Sequence, residues 1–274
     1  MSPTITIAPK PSVYTSDQVK SYAERIGLDT EGFKPDLQNL ARVISSTHEV
    51  DTSPDAVYER MVVKKNGGSW CCGTNGLLLL MLRGLGYRGI TVPSRVDLSP
   101  PSAPLTELTF FTHIALIVQL DPDNALYLVD VGFGGNGPHR PIPLIPGAVV
   151  PGGAPPEEIR ITRFVHPQAA LHRSHPEDDV SVGDWALSYR CPGSKDDWEI
   201  QYTFSLMELA QIPNDWEALA QWLSAHPPKL FSENVMAIKF FLVDGDENKV
   251  GRLVMIGHKT YQKVGNDHTA GEGV

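Results

Sequence analysis

Three residues carry side chains that could act together as a nucleophile and its base. Cys71 lies between a glycine-rich break, Asn66-Gly67-Gly68-Ser69-Trp70-Cys71-Cys72-Gly73, and the apolar run Leu77 to Leu82, which reads as a helix buried all round. A thiol at a helix N-terminus feels the dipole and the unpaired N–H groups, which predicts a lowered pKa and a thiolate at neutral pH. The competing reading makes Cys71 and Cys72 two small buried hydrophobes. His113 opens an apolar strand, Thr112 to Val118, and Asp130 closes the next one, Leu126 to Asp130. Singly, they read as a core histidine and a turn acid. The turn Asp121-Pro122-Asp123-Asn124 makes the two strands an antiparallel hairpin, and residue 113 is then expected opposite residue 130. A carboxylate so placed can hold an imidazole in one tautomer while the imidazole takes a proton from a thiol.

The order Cys, His, Asp with a helix-borne cysteine is that of papain-like and transglutaminase-like nucleophiles. The elements that must position the three read in sequence order. Thr15 or Ser16 caps a helix with Val19, Tyr22 and Ile26 on one face, and Leu37, Leu40 and Ile44 repeat the period after Pro35. Ser53-Pro54-Asp55 starts a third helix that ends near Lys64-Lys65. From residue 90 the signals turn to β, with short runs at Ile90–Val96, Leu105–Phe111, His113–Leu120, Ala125–Val131, Arg160–Phe164, Trp185–Arg190 and Trp198–Phe204. A helix is expected over Asp215 to Ala225, and a hairpin about Asp244-Gly245-Asp246. The small, polar tail Gly265 to Val274 is expected to fray.

Composition narrows the classes. The chain has 274 residues with 41% hydrophobic and 20% charged, ordinary values for a globular protein. A net charge of -9 argues against a nucleic-acid partner. Three cysteines, two of them adjacent, make no disulfide framework, and no Cys/His spacing suggests a metal site. Met1 to Ser16 has no signal-peptide core and no apolar run reaches membrane-spanning length, so a cytoplasmic protein without a membrane partner is expected.

Further motifs sharpen this reading. Tyr22-Ala23-Glu24-Arg25-Ile26-Gly27, Lys64-Lys65-Asn66-Gly67-Gly68-Ser69-Trp70-Cys71, Asn75, Thr112-His113 and Val129-Asp130-Val131-Gly132-Phe133-Gly134 occur in that order. Tyr202-Thr203-Phe204, Asp215-Trp216-Glu217, Ser224-Ala225-His226-Pro227 and Phe231-Ser232 follow. With these motifs the chain resembles an arylamine N-acetyltransferase of the fungal or bacterial type along nearly its whole length. It departs from that pattern twice. The family's R-G-G segment lacks its arginine here, and Thr47 to Asp51 occupies the neighbourhood of the family's P-F-E-N stretch.

The resemblance implies an α+β fold in three parts around a papain/transglutaminase-like Cys-His-Asp core. These are an N-terminal helical bundle over residues 1–86, a central β-barrel-like domain over 87–190 and a C-terminal α/β lid over 191–274. It implies ping-pong transfer of an acetyl group from acetyl-CoA to arylamines or arylhydrazines, with Cys71 as nucleophile, His113 as base, Asp130 as orienter and no metal. Thr112, Phe133 and Gly135 are the expected substrate contacts. Lys64, Lys65 and Arg95 are candidates for the CoA phosphates. Mammalian-type members carry bulkier residues at the positions of Gly135 and Gly137, so a roomier pocket is one expectation and plain turn geometry the other. A monomer or a weak homo-oligomer is expected. The other readings are a relative using malonyl- or propionyl-CoA, an amide synthase, a papain-like hydrolase and a non-catalytic small-molecule binder.

Overall fold

Thr15 and Gln18 open the first helix reciprocally. The Gln18 N–H donates to Thr15 Oγ1 at 3.3 Å, and the Thr15 N–H donates to Gln18 Oε1 at 2.9 Å. This helix, α1 (Ser16–Arg25), buries Val19, Tyr22 and Ala23. A short α2 (Pro54–Tyr58) continues into a π-helical stretch, Glu59–Val63, and Lys65 ends it with a φ of 55°. The third helix, α3 (Cys71–Gly84), is buried at every position from Cys71 to Leu82. Burying each of its leucines contributes roughly 1.5–3 kcal/mol, so this helix anchors the N-terminal half. The structure is a computed structural model that describes residues 6–25, 28, 33, 35, 53–65, 68–99, 107–121, 123–169, 183–193, 195–208, 218–219, 222, 236–257 and 259–272. The expected helix after Pro35, the Thr47 to Asp51 segment and nearly all of the expected helix over Asp215 to Ala225 lie outside these residues.

Eight strands form one antiparallel sheet in the order β4-β3-β2-β1-β8-β7-β6-β5. They are β1 (Arg88–Asp97), β2 (Leu108–Leu120), β3 (Ala125–Val129), β4 (Ile142–Pro143), β5 (Val149–Pro151), β6 (Glu158–Phe164), β7 (Asp184–Cys191) and β8 (Lys195–Ser205). The two edge strands, β4 and β5, follow each other directly in the chain. The sheet must therefore curl until its edges nearly meet, which makes a nearly closed barrel. Its interior holds Val92, Ile117, Ile142, Ile161, Trp185 and Phe204. Outside it, α1, α2 and α3 share a second core with Leu116, Val118 and Leu120 of β2.

Four expectations are corrected. The runs Leu105–Phe111 and His113–Leu120 are not separate strands: from Leu108 onward they are one strand, β2, because Thr112 and His113 keep the alternation going. The boundary expected at residue 190 falls inside the β7–β8 hairpin, where Leu187 pairs with Tyr202, so the central sheet runs on to Ser205. The hairpin register is shifted by two residues. Leu116, not Ile114, lies opposite Val129, and Asp130 stands just past the end of β3. A shift of two preserves the face on which each side chain lies. Finally, the tail is paired rather than frayed. Asp267–Glu272 forms β12 against β11 (Lys259–Val264), which pairs with β10 (Asp246–Ile256), which pairs with β9 (Met236–Val243).

This four-stranded sheet docks on the barrel through a buried ionic cluster. Glu157, its side chain fully buried, faces Lys263 Nζ at 2.6 Å and Arg252 Nη2 at 3.1 Å. Tyr189 donates its hydroxyl proton to Glu157 at 2.9 Å and accepts from Lys263 at 3.0 Å. The Ala154 N–H donates to the other carboxylate oxygen at 3.0 Å. Removing one member of a buried ion pair typically costs about 3–5 kcal/mol, because the partner is left charged and dry. Glu157→Ala should therefore lower the free energy of unfolding by that amount, as read from urea denaturation. A loss below about 1 kcal/mol, the range of a solvent-exposed pair, would mean that Arg252 and Lys263 find other partners.

Candidate active site

The first turn of α3 faces the open end of the β2–β3 hairpin, and this brings Cys71, His113 and Asp130 together. All three are buried, with residue exposures of 7%, 3% and 1%. His113 Nε2 lies 2.7 Å from Asp130 Oδ2. The Cys71 thiol sits 3.9 Å from the Thr112 carbonyl oxygen and is electrostatically coupled to His113. The second oxygen of Asp130 accepts from Asn75 Nδ2 at 2.9 Å and from the Gly132 N–H at 2.8 Å. Asn75 lies one helical turn after Cys71. It also donates to the Ile114 carbonyl at 2.6 Å and accepts the Val131 N–H at 2.9 Å. One amide side chain thus ties the helix to both strands of the hairpin.

Gly132 explains why the loop after Asp130 can come so close. A Cβ there would stand 2.6 Å from Cys71 Cα, 2.7 Å from Thr74 Oγ1 and 2.9 Å from Asn75 Nδ2. Only glycine lets the Val131–Gly134 backbone lie against the first turn of α3.

The electrostatics are those of a coupled buried set. Burial alone would lower the His113 pKa, but the Asp130 carboxylate and the Cys71 thiol outweigh it and raise it to about 10. Burial alone would raise Asp130. The His113 charge overrides this and, with the hydrogen bonds from His113, Asn75 and Gly132, holds the carboxyl below its usual range. Cys71 departs from the expectation of a lowered pKa. Its hydrogen bond to the Cys72 thiol and its burial push it up, and His113 pulls only partly against them. The same shared bond lowers Cys72. The dipole of α3 is therefore opposed by an interaction with the very next residue, which helix-terminus reasoning does not see.

Aromatic rings enclose the imidazole. Phe133 stands edge-on to His113 at 5.2 Å between centroids, and Tyr202 lies 5.0 Å from His113 and 4.9 Å from Phe133. The buried Tyr202 hydroxyl faces Asp130 without completing a hydrogen bond of ordinary geometry. In the sequence Tyr202 stands out only within the Tyr202-Thr203-Phe204 motif. Its place follows from β1, whose Ser94 pairs with His113 on one side and whose Val96 pairs with Tyr202 on the other.

The remaining candidates are more scattered. The Thr112 hydroxyl shares a 2.7 Å hydrogen bond with Thr109, so only the Thr112 carbonyl meets Cys71. Arg95 lies over the Phe111 ring at 4.2 Å and donates to the Thr109 carbonyl at 3.1 Å. Lys64 is exposed and lies 3.5 Å from Glu59, and Lys65 is exposed beside it. The expectation of open volume at Gly135 and Gly137 is corrected. A Cβ on Gly135 would meet the Arg252 guanidinium, 2.9 Å from Nη1, and one on Gly137 would lie 3.0 Å from Phe133 Cβ. The space is filled by neighbours. Among the described residues no cluster of three potential metal ligands occurs, and no helix is long and apolar enough to cross a membrane.

The chain can now be set beside known proteins. It is 26% identical over 237 residues to an N-malonyltransferase of Fusarium pseudograminearum, covering 84% of this chain and 67% of that protein. It is 35% identical over 159 residues to an arylamine N-acetyltransferase of Mycobacterium tuberculosis, covering 53% of this chain and 54% of that one. The chain thus spans about two thirds of the malonyltransferase and about half of the mycobacterial enzyme. Among solved structures, an arylamine N-acetyltransferase from Salmonella typhimurium superposes with a TM-score of 0.71 at 20% identity, over 95% of this chain and 87% of that one. The acyltransferase family model described as N-acetyltransferase matches residues 38–271, and the chain belongs to that family.

Proposed function

We propose that this protein is an acyl-CoA-dependent N-acyltransferase that works through a thioester on Cys71. The observation that carries the reading is the buried His113 Nε2–Asp130 Oδ2 pair at 2.7 Å, with the buried Cys71 thiol against the Thr112 carbonyl and electrostatically coupled to His113. Asp130 occupies Nε2, so the other ring nitrogen, Nδ1, is the one left for the thiol. The pair exchanges one proton and titrates as a unit. His113 takes the proton as Cys71 Sγ attacks the thioester carbonyl of the acyl-CoA, and Asp130 stabilises the imidazolium that forms. The C–S bond to CoA then breaks, and His113 returns the proton to the departing thiolate. An aromatic amine attacks the acyl-enzyme, His113 accepts its proton, and the Cys71 sulfur leaves with the bonding pair. Backbone N–H groups in the first turn of α3 have no intrahelical partner and suit the oxyanion of both tetrahedral intermediates.

Phe133 and Tyr202 wall the acyl and amine site, and the Thr112 carbonyl borders it. Lys64 and Lys65, both exposed near the start of α3, are the cations we assign to the CoA phosphates, with Arg95 held in reserve by Phe111. Acetyl-CoA with an arylamine or arylhydrazine is the first substrate pair, as in the arylamine N-acetyltransferases. Malonyl-CoA is the second donor, favoured by the alignment to a malonyltransferase over 84% of the chain. In an N-acyltransferase acting on foreign aromatic amines, the product is an amide in which the amine is neutralised.

The test is incubation of the full chain with acetyl-, propionyl- or malonyl-CoA alone, followed by intact mass. One acyl group should appear, on Cys71, and CoA release should become catalytic when an arylamine is added. Cys71→Ala should take up none. An acyl group found on Cys72, or none on the wild type, would overturn the reading.

Asp130→Asn should leave the fold intact and slow turnover by orders of magnitude, since the same change in a serine triad costs ~10⁴. A steady-state loss below about tenfold would reduce Asp130 to a structural role. Cys72→Ala should keep most activity. It removes the largest influence raising the Cys71 pKa, so the pH profile of iodoacetamide labelling at Cys71 should move to lower pH. A profile that stays in place or moves up would show that Cys72 does not hold the thiol protonated.

A further inference from the structure

The mechanism above leaves one buried guanidinium unused. Arg252 of β10, its side chain 8% exposed, reaches from the C-terminal sheet to the loop that follows Phe133. Its Nη1 donates to the Gly135 carbonyl oxygen, and its Nη2 lies 3.4 Å from Asn136 Oδ1 and 3.1 Å from Glu157 Oε1. The loop has almost no side chains with which to fix itself. Gly134 turns with a φ of 105°, and the Gly137 N–H closes back on the Gly134 carbonyl at 3.0 Å. Asn136 Nδ2 donates to Gln201 Oε1 at 3.3 Å, one residue before Tyr202. The turn is therefore held by Arg252 on one side and by β8 on another, and it carries Phe133 at its start. Gly135 and Arg252 fit each other sterically. The glycine's missing side chain is the room the guanidinium occupies, since a Cβ there would lie 2.9 Å from Nη1 and 3.1 Å from Cζ.

We propose that Arg252 is a specificity-determining positioning residue: by pinning the Gly135 carbonyl it fixes how closely Phe133 approaches His113, and so sets the size of the acyl group accepted at Cys71. The inference rests on the acyl-transfer reading. Phe133 is packed on His113 and Tyr202 only as long as the turn behind it stays in place. With the turn released, the ring can withdraw and the volume beside Cys71 Sγ grows. Arg252 touches no reacting atom in this account. Its action passes through the loop, so it should leave the Cys71–His113 proton relay untouched.

The experiment compares wild type with Arg252→Ala, Arg252→Lys, Gly135→Ala and the Gly135→Ala/Arg252→Ala double variant in the full chain. The readout is the ratio of kcat/KM for butyryl-CoA to that for acetyl-CoA, with the pH profile of Cys71 labelling by iodoacetamide as the second measurement. Arg252→Ala should move the ratio about tenfold toward the longer acyl group, within the ~10–200-fold that pocket size can command, with the labelling profile unmoved. Arg252→Lys should fall between. Gly135→Ala should displace the guanidinium and shift the ratio in the same direction, and in the Arg252→Ala background it should add nothing, because the two changes break one contact. If Arg252→Ala does not fold, Arg252→Lys and Gly135→Ala still decide the matter. A ratio unchanged in folded Arg252 and Gly135 variants overturns the inference, as does strict additivity in the double variant. A wild type that accepts no acyl group from any donor overturns the acyl-transfer reading itself, whereas wild-type acylation with an unmoved ratio overturns the inference alone.

Discussion

Asp130 is a carboxylate with 1% of its surface exposed, and it is satisfied from three directions at once: by His113 of β2, by Asn75 of α3 and by the Gly132 N–H of its own loop. A buried charge is tolerable only when every lone pair facing the interior is met. That requirement fixes the placement of α3 against the β2–β3 hairpin more tightly than apolar packing could. Leucines such as Leu77 and Leu79 would accept small slides of the helix along the sheet. Hydrogen bonds of 2.7–2.9 Å at Asp130 would not. The thiol position is then a consequence, because Cys71 lies one turn before Asn75 on the same helix, and Gly132 leaves no space between.

A second buried carboxylate, Glu157, does for the C-terminal sheet what Asp130 does for the helix. Two cations from strands β10 and β11 converge on it, so the sheet docks in one orientation. Exchanging such an ion pair for apolar residues is often neutral or stabilising, so specificity of docking, rather than stability, is the fitting account of its use here.

The candidate set Cys71, His113 and Asp130 was legible because each sits beside a local signal. Cys71 follows a glycine break, His113 interrupts an apolar strand, and Asp130 ends one before Gly132. The barrel-like sheet was legible as β-rich runs, and Asp244-Gly245-Asp246 marked the β9–β10 hairpin of the C-terminal sheet. The register was read two residues off because the pairing closes with Leu120 opposite Ala125, centred one residue later than the expected 113–130 pairing, yet the error left every side chain on its correct face. The tail was misread because Asp267–Glu272 has a polar, small-residue composition and gains its order only from pairing with β11. Glu157, Arg252 and Lys263 gave no functional signal, and Tyr202 gave one only through the Tyr202-Thr203-Phe204 motif. A single charged residue in a strand looks solvated, and nothing local ties Lys263 to Glu157, 106 residues away. The upward push on Cys71 was invisible for the opposite reason: its cause, Cys72, is adjacent, and only its side-chain direction reveals the bond.

The partners that bond Asp130 all come from residues 75–132, whereas Tyr202 and Arg252, which enclose the imidazole and pin the loop, come from strands β8 and β10 much later in the chain. During synthesis the ribosome releases the first group well before the second. The hydrogen-bonded set at Asp130 can form on the emerging chain once Gly132 clears the exit tunnel, before β8 is there to cover the imidazole. Assembly is then ordered along the chain, with the Asp130 network complete before the strands that carry Tyr202 and Arg252 are available to cover it.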